Sequence, residues 1–386
     1  MSEEPDSQAV APFRRRSFLA SAALASGAPA AVAVAGPAQA AAPAAAGGAL
    51  AAPALGSVAR LLAVPADSRG VGWIRSALQV AVGLELATIP PYFCGLWSVK
   101  DRRSEVARLI QRIVGDEMYH LGIVCNLLVA VGGRPQIKAA APVYPGPLPG
   151  GVRAGVTVYL SGLTKAYVRD VMMAIEAPEE SLVRVAQASP TVGEFYEELL
   201  RAFRTERPEL SARGQLSQYV FSDDLSPIVT PDHVEQAVRI IMEQGEGTSS
   251  SPSASFEDDH PAHYYAFGEI YHGRELRRTD HGWSYVGAPV PFPDVRPMAP
   301  IPVGGWPNPP APVRQLLHHF DATYSTVLDT LDAAWAGGGQ RTLGAAIHAM
   351  RGLERPAVEL METPNPYVPG TYGPQFRALR KRLAAS

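Results

Sequence analysis

Cysteine is scarce. The 386 residues hold two, Cys94 and Cys125, so one disulfide is the most an oxidising compartment could form. The net charge is −3, which gives no electrostatic reason to expect DNA, RNA or an anionic membrane as partner. Zinc-finger, P-loop and dinucleotide motifs are missing. No stretch of about 20 uninterrupted apolar residues offers a membrane span. Strand-like alternation is also nearly absent, and only "RAGVTVYL" (153–160) suggests a strand. No internal repeat has the period of a solenoid.

What is present is material for a core. Hydrophobic residues make up 47% of the chain and charged residues 18%, a globular composition. The length suits one large domain or two modest ones. The first forty residues stand apart. "RRRSFLA" (14–20), an Ala-rich run and "PAQA" (37–40) read as an export signal cleaved after about Ala40. Arg15–Arg16 before Ser17, Phe18 and Leu19 resembles a twin-arginine signal, although Arg14 and Ala20 stand where Ser or Thr and Lys are usual. That resemblance implies export of a folded chain to the periplasm or the exterior, often with its cofactor inserted.

Residues 41–66 are rich in Ala, Pro and Gly and read as a linker. Helical patterns follow. One covers 71–89, with Pro90 and Pro91 predicted to stop it. Others cover 102–131, closed by Gly132 and Gly133, then 162–177, 190–206, 231–244 and 260–277. A polar loop occupies 247–259. Residues 281–311 are Pro-rich, and two last helices are expected over 312–335 and 341–360. The chain therefore reads as all-α: a helical bundle over 67–280, with a Pro-rich segment and C-terminal helices over 281–386 packing on it.

Glu85 lies in "VAVGLELATI", among apolar neighbours. A carboxylate on a buried helix face costs several kcal/mol unless it is protonated, paired or bound to a cation. "VGDEMYHLGIV" (114–124) raises the same question, because Glu117 and His120 are three apart and share one helix face. Taking 71–98 and 102–131 as arms of an antiparallel hairpin centred near 101 sets Glu85 level with Glu117, each sixteen residues from the centre. A Glu facing a Glu-x-x-His is half of the di-iron pattern of ferritin-like bundles. Carboxylates with imidazole favour Fe, Mn or Zn over Ca or Mg. The same register separates the cysteines. Cys94 is level with residue 108, and Cys125 lies about 25 Å further along, whereas a disulfide needs Cα atoms within about 7 Å.

The second half of the site has two candidate sets. Glu176 in "VMMAIEAP" sits in an apolar run before proline, as Glu85 does. Counting from a loop centre near 253 sets Glu243 level with His263 and puts Glu235 near Glu269. The preferred ligands are Glu85, Glu117, His120, Glu176, Glu246 and His263. The alternative draws on Glu269 and His272, which repeat the Glu-x-x-His spacing, and Glu243 is a further candidate.

Several segments together resemble a known family. They are "LELATIPPY" (84–92), "DEMYHLGIVCNLLVAVGG" (116–133), "YPGPLP" (144–149), "IEAP" (175–178), "GEFY" (193–196), "EQGEG" (243–247) and "HYYAFGEIYHGREL" (263–276). Taken in order they look like the ferritin-like domain of the iminophenyl-pyruvate dimer synthase family, found in the bisindole pathway proteins of violacein and rebeccamycin. The resemblance implies a ferritin-like bundle, iron as cofactor, and oxidative chemistry on amino-acid-derived substrates. It carries over to Glu85, Glu117 and His120, and through matching motifs to Glu176, Glu243, Glu246 and His263.

Three functions compete on these residues: an exported di-iron oxidoreductase, a metal store without turnover, and a structural bundle. The expected partners are a small-molecule substrate and further copies of the chain. Tyr119, Tyr264, Tyr265 and Tyr271 lie near the candidate ligands in sequence, as packing or as second-shell donors.

Overall fold

A computed structural model describes residues 57–178, 190–220, 223–246, 252 and 260–379. The expected export signal lies outside these residues, as do most of the expected linker and all of the polar loop 247–259 except Pro252. The last part of that linker is not a plain spacer. It forms helix α1 (Val58–Leu62), with Val58 fully buried. The Trp73 indole donates to the Leu61 carbonyl at 2.8 Å, and Arg69 donates to the Leu62 and Val64 carbonyls.

The core is the pair α2 (Val71–Ser98) and α3 (Glu105–Ala130). Arg75 Nε near the start of α2 donates to the Val131 carbonyl just past α3, at 2.7 Å, so the helices run antiparallel. Ser104 caps α3 through Ala107 N, and Glu105 in its first turn suits the helix dipole. Both helices are long and apolar enough to cross a membrane; here the relevant windows are 94% and 100% buried within the protein.

α2 runs through Pro90 and Pro91, where a stop is expected. Pro91 cannot donate to the Ala87 carbonyl four residues back. Tyr144 donates to that carbonyl instead, at 2.7 Å, from a loop packed against the helix. The lost ladder bond is thus replaced by tertiary contact. Tyr144→Phe should leave the buried carbonyl without a donor and cost about 1–3 kcal/mol, read as a lower urea midpoint at unchanged slope.

Helical structure from Lys165 to Glu176 comprises α4 (Lys165–Tyr167), a wide π-turn (Val168–Met172) and α5 (Met173–Glu176). Then come α6 (Val192–Glu206), opened by a Thr191/Glu194 capping box, α7 (Pro231–Glu246) and α8 (His263–His272). The pattern over 260–277 predicts one helix. α8 instead ends at Gly273, whose φ of 75° favours glycine, and "RELRRT" becomes a strand.

Among the described residues the strands form three antiparallel pairs. β1 (Gly146–Pro147) pairs with β2 (Thr157–Val158), β3 (Gln218–Val220) with β4 (Asp223–Leu225), and β5 (Arg274–Thr279) with β6 (Gly282–Pro289). Only β2 lies in the stretch read as strand-like. β1, β3 and β4 are two or three residues long and β5 is highly charged, which hides period-2 patterning.

The C-terminal part holds α9 (Ala311–Ala333), a π-turn to Gly338, α10 (Gly339–Arg351) and α11 (Glu354–Glu362), so the single helix expected over 341–360 is two. Phe376 stacks on Trp97 of α2 at 5.9 Å, and Phe320 meets the same indole edge-on. The C-terminal segment thus packs on the bundle. Cys94 and Cys125 are buried free thiols, and burial pushes both upward from the ordinary thiol value.

Candidate metal centre

α2 presents Glu85, Thr88 and Tyr92 at i, i+3 and i+7, hence on one face. α3 presents Asp116, Glu117 and His120. Glu176 closes α5, His263 opens α8, Gln244 comes from α7 and Tyr196 from α6. All ten are buried.

Two groups of donors could each hold a metal ion. Glu85, Glu117 and His120 form one; Glu117, Glu176 and His263 form the other. Within each, the ligand atoms lie within 4.8 Å of one another. Glu117 belongs to both. His120 Nδ1 lies 3.5 Å from Glu85 Oε2 and 3.8 Å from Glu117 Oε2. His263 Nδ1 lies 2.8 Å from Glu117 Oε1 and 3.8 Å from Glu176 Oε1. The imidazole rings are 5.8 Å apart.

The outer nitrogens fix the tautomers. His120 Nε2 is 2.7 Å from Gln244 Oε1, and His263 Nε2 is 3.1 Å from Asp116 Oδ2. Both oxygens accept, so each Nε2 carries a proton and each Nδ1 faces inward, protonated in the metal-free fold and able to bind an ion once that proton leaves. Arg112 pairs with Asp116 at 3.2 Å. The Tyr196 hydroxyl donates to Glu85 and the Tyr92 hydroxyl to Glu176. Thr88 shares its hydroxyl proton between the Glu85 carbonyl and Glu117 Oε2, each 2.8 Å away.

One atom tests the fit to a cation. His263 Nδ1 is fully buried and faces Glu117 Oε1 at 2.8 Å, close but not aligned as a hydrogen bond. An imidazole nitrogen and a carboxylate oxygen that close can both reach one ion at about 2.1 Å. The donor set fits a transition metal.

The electrostatics agree. Without a cation, protons must balance the carboxylates. Burial pushes His120 down, but hydrogen bonds and charge from Glu117 and Glu85 outweigh it and lift the imidazole to about 10. Burial acts likewise on His263, and Asp116, Glu117 and Glu176 hold it well above its ordinary value. Burial pushes Glu117 up; His120 and His263 outweigh it and hold the carboxyl well below the usual range. Glu85 is raised, by burial first and despite His120, with the Glu117 charge adding. Tyr92 and Tyr196 are raised well above the ordinary phenol value by burial and by the carboxylates they face.

A cavity of about 50 Å³ adjoins the cluster, lined by Leu84, Leu148, Ile175, Val192, Ile241 and Met242 beside the acids. Gly245 also borders it. A Cβ there would lie 3.2 Å from Glu176 Oε2, so the carboxylate would have to shift. Gly245→Ala should weaken metal binding about tenfold, measured by chelator competition, with little loss of stability.

Glu85, Glu117, His120, Glu176 and His263 thus come together. Glu246 ends α7, and its side chain lies outside the described residues. Glu243 is half-buried and joins neither group; its neighbour Gln244, 100° further around the helix, reaches His120 instead. Glu269 accepts from Leu276 N at 2.7 Å and ties α8 to β5. Burial raises its pKa. His272 is exposed and stacks on Tyr285. Neither Glu269 nor His272 belongs to the cluster, because β5 replaces the last turn of the expected helix and takes the Glu269 carboxylate as its acceptor.

Two tyrosines not singled out in sequence reach the acids. These are Tyr92 and Tyr196, and Tyr92 carried a signal: it is seven residues, two turns, from Glu85.

The fold and cluster define a helical bundle with buried carboxylates and imidazoles able to hold metal. A sequence profile described as ferritin-like matches residues 78–272, half of the chain. The chain belongs to the ferritin-like family. Among solved structures, a ferritin-like protein from Caulobacter vibrioides superposes with a TM-score of 0.57 at 23% identity, covering 79% of this chain and 97% of that one. No curated protein matches the sequence.

Proposed function

We propose that this chain is an exported ferritin-like protein that holds two iron ions and oxidises a small amino-acid-derived substrate with dioxygen or peroxide. The observation that carries the reading is the sharing of Glu117 between two carboxylate–imidazole groups. Iron suits a mixed oxygen and imidazole set, as Mn and Zn also do. Glu117 would bridge, Glu85 and His120 would complete one side, and Glu176 and His263 the other.

A metal pair in such a site supplies redox equivalents and a place for an oxygen ligand to bind. The chain's own residues do the rest. Gln244 and Asp116 hold the imidazoles with Nδ1 inward. The Tyr92 and Tyr196 hydroxyls donate hydrogen bonds to Glu176 and Glu85 and orient these carboxylates. The apolar wall of the cavity limits water at the reacting face, and its volume of about 50 Å³ suits a diatomic oxidant. The resemblance to iminophenyl-pyruvate dimer synthases supports the amino-acid-derived substrate. The arginine pair at 15–16 and the "PAQA" end support export.

Elemental analysis and oxygen uptake by the purified chain test the proposal. About two equivalents of iron and substrate-dependent oxygen consumption are expected. Less than one equivalent of any transition metal, unchanged in Glu117→Ala, would sink it. Iron uptake without substrate-dependent turnover would make the protein a metal store.

A further inference from the structure

We propose that the two halves of the cluster bind metal unequally, the His263 half being the tighter, with Gln244, Asp116 and Thr88 as the residues that set the difference. The inference rests on the reading of the cluster as a two-metal site.

The halves are otherwise nearly mirror images. Each has one carboxylate of its own, one imidazole turned Nδ1-inward, and one buried tyrosine on that carboxylate: Glu85, His120 and Tyr196 against Glu176, His263 and Tyr92. Glu117 gives one oxygen to each side.

Two contacts break this symmetry, and both act in one direction. Behind His263 stands the Asp116 carboxylate, itself held by Arg112; behind His120 stands the amide of Gln244. A carboxylate accepting the outer N–H makes the imidazole a stronger donor than a neutral amide does. The second contact is Thr88, which donates to Glu117 Oε2, the oxygen on the His120 side. That hydrogen bond draws on electron density the oxygen would otherwise give to an ion. Glu117 Oε1, on the other side, lies 2.8 Å from the unbonded His263 Nδ1. One ion therefore fills the His263 half first, and the His120 half holds its ion more loosely.

Repulsion between two bound ions would split the binding steps even in a symmetric site, so the halves must be measured one at a time. Cobalt(II) is titrated against a chromophoric chelator with the full chain carrying either Glu85→Ala, which leaves the His263 half, or Glu176→Ala, which leaves the His120 half. The Glu85→Ala chain should bind about 10–100-fold more tightly. Added to Glu85→Ala, Asp116→Asn should remove most of that advantage. Added to Glu176→Ala, Gln244→Glu and Thr88→Val should each tighten binding. The same or tighter binding by the Glu176→Ala chain would overturn the inference. So would Asp116→Asn without effect, a check that stands if Gln244→Glu does not fold. A wild-type chain that takes up no cobalt would instead overturn the metal reading beneath it.

Discussion

Glu117→Ala should empty the whole site at once, taking metal content from about two equivalents to none detectable. Each of the other four donors serves one half; Glu117 serves both. Glu85→Ala or Glu176→Ala should therefore leave about one equivalent, and the contrast with Glu117→Ala isolates the shared role. The metal-free protein should suffer as well. Glu117 lies among two buried imidazoles and accepts from Thr88, and removing one partner of a buried charge cluster costs about 3–5 kcal/mol. The urea midpoint of metal-free Glu117→Ala should fall accordingly. Glu117→Gln keeps the shape and the Thr88 contact, so it should recover part of the stability and little of the metal. Elemental analysis and denaturation of the three proteins check this directly, and wild-type metal content in Glu117→Ala would place the ligands elsewhere.

The second large effect is a dependence on pH that appears when metal is removed. In the metal-free fold His120 titrates at about 10, against 6.5 for an ordinary imidazole. A group raised in the folded state stabilises fully below its unfolded value, and the contribution is lost as pH rises through the folded value. The metal-free protein should thus lose stability between about pH 6.5 and 10, on the order of 5 kcal/mol at most for this shift. The depressed Glu117 carboxyl is the same interaction seen from its partner, so it is counted once. With metal bound, Nδ1 holds the ion and not a proton, and rising pH relieves proton competition. The gap in Tm between loaded and metal-free protein should therefore widen from pH 7 to pH 10. Melting curves at matched ionic strength measure it, and parallel curves would contradict the assignment.

The part of the cluster legible in sequence is the part set by one helical hairpin. Glu85, Glu117 and His120 lie on α2 and α3, whose register follows from helix length and a short turn, so counting residues brings them level. Glu176 and His263 depend on how separate segments dock, and sequence reading offered them beside Glu269 and His272 as rivals. What separated the rivals was local: Gly273 ends α8, and Glu269 is taken up by Leu276 N. Asp116, Gln244, Tyr92 and Tyr196 were harder still. Each matters through a contact across helices, and a rotation of one residue decides whether it faces the cluster. The continuation of α2 past Pro90 and Pro91 was hidden for a like reason, since its remedy is Tyr144 in a distant loop.

Helix α8 joins the buried cluster to the β5–β6 hairpin. Its first residue is His263, in the buried cluster; six residues on, Glu269 grips β5, and Gly268 leaves room for the Tyr285 side chain, whose hydroxyl would lie 1.9 Å from any Cβ there. A ten-residue helix is a stiff rod about 15 Å long. The hairpin β5–β6 is the handle of that rod, with Trp283 and Val286 exposed on it. One short helix thus holds the surface hairpin at one end and the buried imidazole at the other.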